Sequence, residues 1–215
     1  MIAELIKDKQ FIELEKEYKF LARARGEAIS SLEYVVLDIE TTGLEPTQDE
    51  ITEIGAMKIK GKEVQDIFSS LVKPQKPISA EITKLTGIDD ELVKDAPPID
   101  LVLPKFIDFI NSAVLIAHNA DFDAPFIKYH LKRITATELT NSIICTVKLS
   151  RFLLPQLPNH KLHTVASHFG LKVENRHRAM GDVELTYQIW INFMDLLQEK
   201  GITYKHDLDS LILRL

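Results

Sequence analysis

Cysteine is nearly absent from this chain of 215 residues, where Cys145 stands alone. A single thiol excludes an internal disulfide and a cysteine-built zinc cluster. It also fits a reducing compartment. Long apolar runs are missing too; the longest are about five residues, against the roughly 20 that cross a bilayer. The opening segment, MIAELIKDKQ, mixes acids with lysines. It has neither the apolar core nor the cleavage site of a secretion signal. The expected compartment is therefore the cytoplasm, with no membrane partner. A surplus of positive charge is also lacking: 26 Lys and Arg face 32 Asp and Glu, for a net charge of −6. Proteins that grip nucleic acid by phosphate neutralisation carry a basic surface. Any nucleic-acid contact here must be local, or must draw its positive charge from metal ions.

What is present is the balance of an ordinary globular domain, 45% hydrophobic and 27% charged, in a length that suits one sizeable core. Residues 1–31 are rich in Glu, Lys and Arg with loosely helical apolar spacing. They predict a helical N-terminal extension that packs on the main domain or serves a partner or dimer contact. Tyr34–Glu40 predicts a strand, and residues 51–60 and 63–73 two more, joined by a hairpin turn at Lys60-Gly61-Lys62. Ser79 and Gly87 bracket a short helix. Residues 99–112 have helical spacing, with Pro104 expected to delay the helix start. Ala113–Ala117 reads as a buried strand, followed by a helix near 123–133. Ile143–Cys145 is a short strand feeding a helix through Leu154. Residues 162–169 form a helix closed by Gly170, and a long helix runs from about 180 to 199. Strands followed by strand–helix alternation argue an α/β fold with a mixed sheet. The expected organisation is the extension 1–31, a domain over 32–200 and a tail over 201–215. The apolar end of that tail is either core packing or a partner segment.

Three acidic sites stand beside apolar elements. Asp38 and Glu40 lie two apart on a strand, so both carboxylates share one face. Crowded carboxylates repel unless a cation intervenes, and no basic residue lies between positions 26 and 57 to serve. A hard divalent cation with oxygen ligands is the natural remedy. The second site is His118-Asn119-Ala120-Asp121-Phe122-Asp123, at the C-terminal end of a strand, where α/β sheets bind ligands. Asp123 there also reads as a helix cap. The third is His177-Arg178-Ala179-Met180-Gly181-Asp182, with Asp182 in the first turn of the longest helix. Carboxylates from three such places can hold two cations for phosphodiester hydrolysis. A histidine can take the proton from the attacking water.

These segments resemble, in order, the three motifs of the DEDDh exonucleases, the family of the proofreading epsilon subunit of bacterial replicative DNA polymerase. Leu37-Asp38-Ile39-Glu40-Thr41-Thr42-Gly43-Leu44 resembles the first motif, His118 to Asp123 the second and His177 to Asp182 the third. The resemblance covers about residues 33–198. It implies a ribonuclease H-like mixed five-stranded sheet flanked by helices. It also implies a 3′–5′ exonuclease that releases nucleoside monophosphates with two divalent cations, Mg²⁺ or a substituting Mn²⁺. Asp38, Glu40, Asp123 and Asp182 would be the metal ligands and His177 the general base. Thr41, Thr42, Gly43 and Leu44 would line the terminal-nucleotide pocket through backbone amides and an apolar wedge. His118, Asn119 and Phe122 would lie near the substrate. Asp121 falls at the family's variable position, and Cys145 stands where members commonly carry Asp.

The implied partner is a single-stranded 3′ end, DNA ahead of RNA. RNA-end cleavage by the same chemistry and a non-catalytic binding module are the alternatives. Arg176 and Arg178 are the first candidates for a basic rim, ahead of Lys128, Lys132, Arg133, Arg151 and Lys161. The short C-terminal tail and the N-terminal extension favour a stand-alone or differently partnered nuclease. A polymerase subunit or other protein could bind the extension.

Overall fold

The computed structural model describes residues 26–172 and 178–215. Five strands form one mixed sheet: β1 (Glu33–Thr41), β2 (Ile51–Lys60), β3 (Glu63–Leu71), β4 (Val114–Ala117) and β5 (Ile143–Cys145). Their spatial order is β3-β2-β1-β4-β5. The β1–β2 and β2–β3 pairs are antiparallel, and the β1–β4 and β4–β5 pairs are parallel. Eight helices are described: α1 (Ala80–Thr86), α2 (Asp90–Val93), α3 (Ile99–Ile110), α4 (Ala120–Thr135), α5 (Thr146–Leu153), α6 (Leu162–His168), α7 (Ala179–Glu199) and α8 (Lys205–Ile212). The mixed five-stranded sheet with flanking helices matches the expectation.

Strand alternation divides the core. Tyr34 and Val36 of β1 pack with Trp190 and Phe193 of α7 and with Leu149 of α5. Val35, Leu37 and Ile39 pack on the opposite face with Phe106 of α3 and Phe126 of α4. Asp38 and Glu40 continue the first series, so they emerge on the α7 face. Tyr34 and Trp190 meet edge-on at 5.0 Å between ring centroids, which fixes α7 against β1.

Ser79 caps α1 by accepting from the Ile82 N–H, and Gly87 ends it with φ at 73°. Two helices start earlier than the sequence suggests. α3 begins at Ile99 despite Pro104, and α4 begins at Ala120 with Pro125 inside it. Each proline is the sixth residue of its helix and strips a donor from the carbonyl four residues back. Those carbonyls belong to the exposed residues Asp100 and Asp121, where water can replace the missing bond. Residues 202–215 fold back with α8 at their centre: Leu208 is buried in the core, with Leu211 and Ile212 against it. Their start is stitched to the chain before β1, Ile29 N–H to the Thr203 carbonyl at 2.9 Å and Lys205 N–H to the Glu27 carbonyl at 2.8 Å. Of the apolar end of this segment, Leu211 and Ile212 pack against the core, whereas Leu213 and Leu215 stay exposed. Residues 27–32 form turns rather than helix. The rest of the expected helical extension, 1–25, lies outside the described residues. Among the described residues, no helix is long and apolar enough to cross a membrane.

Candidate active site

β1 outruns its parallel neighbour. Pairing with β4 stops at Val36↔Ile116, and β4 itself ends at Ala117. A notch opens beside residues 37–41 at the C-terminal edge of the sheet. The backbone N–H of Ile39 donates across this notch to Asp123 Oδ1 at 3.2 Å. Asp123 is therefore no helix cap. It is the fourth residue of α4, only 2% exposed, and it replaces the strand partner that β1 has lost.

Asp38 and Glu40 stand on the α7 side of the same strand end. Asp182, in the first turn of α7, joins them: one carboxylate oxygen from each of the three lies within 4.8 Å of the others. The start of α7 reaches this place because β2 makes room for it. Gly55 lies directly opposite Asp38 across the β1–β2 ladder. A methyl group on Gly55 would stand 2.8 Å from the backbone carbon of Ala179, closer than packed atoms approach.

The electrostatics follow from this crowding. Burial first, then the charges of Asp123, Glu40, Asp182 and Glu53, hold the Asp38 carboxyl well above the ordinary carboxylate range. Burial pushes Glu40 up to about 8, with Asp182, Glu53 and Asp123 adding to it and Arg178 opposing. Burial raises Asp123 to about 7, against the pull of the Ile39 N–H. Such a set is poorly satisfied by protons and well matched to a hard cation. Its donors are all oxygen, they converge on one point, and their charges repel. The residues present thus fit a divalent metal ion held by carboxylates.

The remaining expected site residues fall around the notch. Thr41 is buried and its hydroxyl donates to the Gly43 carbonyl at 2.6 Å. The Thr42 N–H donates to the Glu50 carbonyl at 2.8 Å, and its hydroxyl accepts from the Glu50 N–H at 3.0 Å. These threonines shape the loop, and the Thr42 amide is already spent on it. Gly43 sits against the Asp49 carboxyl, which would have to shift to admit a Cβ. Leu44, 76% exposed, is the apolar side chain this loop offers outward. Phe122 turns instead toward Phe126, 5.3 Å between ring centroids, and packs on the core.

His118 is tied through Nδ1 to the Thr146 hydroxyl at 2.8 Å, and burial lowers its pKa to about 4, so it is neutral. It lines a cleft of about 420 Å³ with Asn119, Arg151, Asn159, His160 and Lys161. His160 is held there by Ser150, Nδ1 to Oγ at 2.9 Å. His177 and Arg176 lie outside the described residues.

Arg178 is not a free rim cation. Its Nε and Nη2 donate to Glu53 Oε2 and Oε1 at 3.1 and 2.9 Å. Glu53, in β2, also accepts from the Ala179 N–H at 3.1 Å. Sequence reasoning passed over Glu53, although a carboxylate between Ile51 and Ile54 in the predicted strand 51–60 was a readable signal.

Residues 35–190 match the family model described as exonuclease, of the RNase T type. That match covers most of the chain and includes Asp38, Glu40, Asp123 and Asp182. The chain belongs to the DEDD-type 3′–5′ exonuclease family. It is 50% identical over 190 residues to a PolC-type DNA polymerase III of Caldanaerobacter subterraneus subsp. tengcongensis, covering 87% of this chain and 14% of that protein. The corresponding protein of Bacillus subtilis is 40% identical over 178 residues, covering 82% of this chain and 12% of that one. The chain thus spans about one-seventh or less of the curated relatives it matches. Among solved structures, exonuclease X in complex with 5′ overhanging duplex DNA is 29% identical, with a TM-score of 0.64 over 82% of this chain and 98% of that one. Exonuclease I of E. coli with a dT13 oligonucleotide shares the fold at 16% identity, with a TM-score of 0.69 over 80% of this chain and 43% of that one.

Proposed function

We propose that this chain removes nucleotides one at a time from the 3′ end of DNA, with Asp38, Glu40, Asp123 and Asp182 holding two Mg²⁺ ions, for which Mn²⁺ can substitute. The observation that carries the proposal is the convergence of Asp38, Glu40 and Asp182 within 4.8 Å, beside a fourth carboxylate anchored on the Ile39 N–H, in a member of an exonuclease family. The bound cations would activate water and stabilise the leaving 3′ oxygen.

The protein's own part is positional. The strand geometry of β1 keeps Asp38 and Glu40 on one face, and the Ile39 N–H keeps Asp123 from turning away. His177, five residues before Asp182, is proposed as the proton acceptor on the strength of its motif alone. Leu44 is offered as the apolar contact for the terminal base. Gly43, His118 and Asn119 would border that pocket, and Thr41 and Thr42 would brace its loop. The cleft lined by Arg151, His160 and Lys161 has no carboxylate among its described lining residues and is a candidate path for the strand's phosphates.

DNA is favoured over RNA because the similar exonuclease X and exonuclease I structures hold DNA and the similar curated proteins are DNA polymerases. A replicative polymerase is the proposed protein partner, with residues 1–31 a candidate contact, and the cytoplasm is the proposed compartment. The test is a panel of labelled single-stranded DNA, mismatched duplex and RNA with Mg²⁺ or Mn²⁺. Asp38→Ala and His177→Ala are assayed alongside. Stepwise loss of mononucleotides from DNA 3′ ends, abolished in both variants, is expected. Metal-independent cleavage or nicking of a circular substrate would sink the proposal. RNA degraded faster than DNA would reverse the substrate choice.

A further inference from the structure

We propose that Glu53 and Arg178 form a positioning clamp for the third carboxylate. Their ion pair holds the N-terminus of α7 on β2 so that Asp182 faces Asp38 and Glu40. The inference rests on the reading of the acidic cluster as a metal site and concerns what keeps that site assembled.

Three observations carry it. First, Glu53 is opposite Glu40 in the β1–β2 ladder and only 3% exposed. It is a fifth carboxylate beside the cluster, with both oxygens turned to α7 rather than to the other acids. Second, those oxygens receive three donors from two consecutive residues, the Arg178 guanidinium in two-point fashion and the Ala179 N–H. A planar fork on a carboxylate fixes orientation as well as distance. Third, Arg178 is the N-cap of α7, and its carbonyl accepts from the Asp182 N–H at 3.2 Å and the Gly181 N–H at 2.8 Å. The clamp therefore grips the residue whose backbone sets the turn that carries Asp182. Groups that orient metal ligands in this way commonly matter about 10–100-fold to metal affinity or activity.

Charge alone gives a different answer, so the two accounts separate by sign. Removing the positive charge of Arg178 from beside a cation site should tighten metal binding if the pair acts only through space. It should weaken binding if the pair positions Asp182. The experiment is Mn²⁺ titration followed by electron paramagnetic resonance on the parent, Glu53→Gln, Arg178→Gln, Arg178→Lys and the double variant Glu53→Gln/Arg178→Gln. The double variant leaves the net charge of the pair unchanged and buries no lone ion, so it is the variant best able to fold, checked by circular dichroism.

All four variants are expected to bind Mn²⁺ about 10-fold more weakly or worse. The kcat on a DNA oligonucleotide should fall by a similar factor, and KM should stay within about twofold, because no substrate contact is removed. Tighter Mn²⁺ binding by Arg178→Gln, or parent-like binding by the double variant, would overturn the clamp and leave the metal site standing. A parent that binds no Mn²⁺, or an Asp38→Asn variant that binds as well as the parent, would overturn the metal reading itself and the clamp with it.

Discussion

Like charges crowded into a buried notch cost free energy that the rest of the fold must offset. Burial raises Glu40 to about 8 and Asp123 to about 7, and lifts Asp38 as well. A group whose folded pKa lies above its unfolded one contributes stability below the unfolded value, and loses that contribution as pH rises through the folded value. For these carboxylates the window runs from about pH 4 to about pH 8. The metal-free protein is therefore expected to melt lower at about pH 8.5 than at about pH 5.5, with Mn²⁺ raising Tm more at the higher pH. Calorimetry in EDTA and in Mn²⁺ reads this directly; equal metal stabilisation at both pH values would contradict it. Asp38→Asn removes one ionisable group from the notch. Metal-free at about pH 8, it should gain roughly 1 kcal/mol, or about 2–4 °C in Tm. It should also lose at least about a hundredfold in cleavage rate. At this scale Asp38 and Glu40 were legible because a period of two forces them together. Asp123 was visible only through its motif, since an acid near a helix start has a simpler local explanation. Its true partner, the Ile39 N–H, is 84 residues away in sequence, and no local rule reaches that far.

Among the elements, the junction of β2 with α7 decides whether the third carboxylate arrives. Gly55 is the contact point, and a Cβ there would collide with backbone, which cannot swing aside as a side-chain tip can. Gly55→Ala should displace the first turn of α7 and cost about 1–3 kcal/mol of stability. It should also weaken Mn²⁺ binding by roughly tenfold, measured by thermal melting and metal titration on the same sample. Parent-like Mn²⁺ affinity in a destabilised variant would show that α7 relaxes without moving Asp182. The strands, the Ser79 and Gly87 signals and the long final helix were readable from pattern and turn chemistry. The starts of α3 and α4 were not. Pro104 argues for a later start, and a helix near 123 gives no local sign that it begins three residues sooner; the folded chain tolerates each proline where the residue four back, Asp100 or Asp121, is exposed to water.

For the molecule as a whole, a net charge of −6 leaves nucleic-acid contact to local features. Arg151 and Lys161 line the cleft that also holds His118 and Asn119. Arg151→Gln/Lys161→Gln should raise KM for single-stranded DNA several-fold at low salt, leave kcat nearly unchanged and make binding less steep in salt by about two phosphate contacts. Kinetics across a salt series tests this, and an unchanged slope would remove the cleft from the strand's path. Arg178, favoured for such a role by its place next to His177, is instead committed to Glu53. The sequence shows a cation there but not what the cation faces.

The early end of β4 has a consequence for how this fold can change. Further parallel pairing along β1 would strengthen the sheet, since each new rung adds hydrogen bonds and buries strand edge. The same rung would also claim the Ile39 N–H and evict Asp123. The length of β4 is thus capped by chemistry rather than by stability: stabilising the sheet at this edge and keeping the fourth carboxylate are mutually exclusive. Variants selected only for heat resistance should therefore leave β4 at its present end if they stay active, and inactive survivors should be those that extend it.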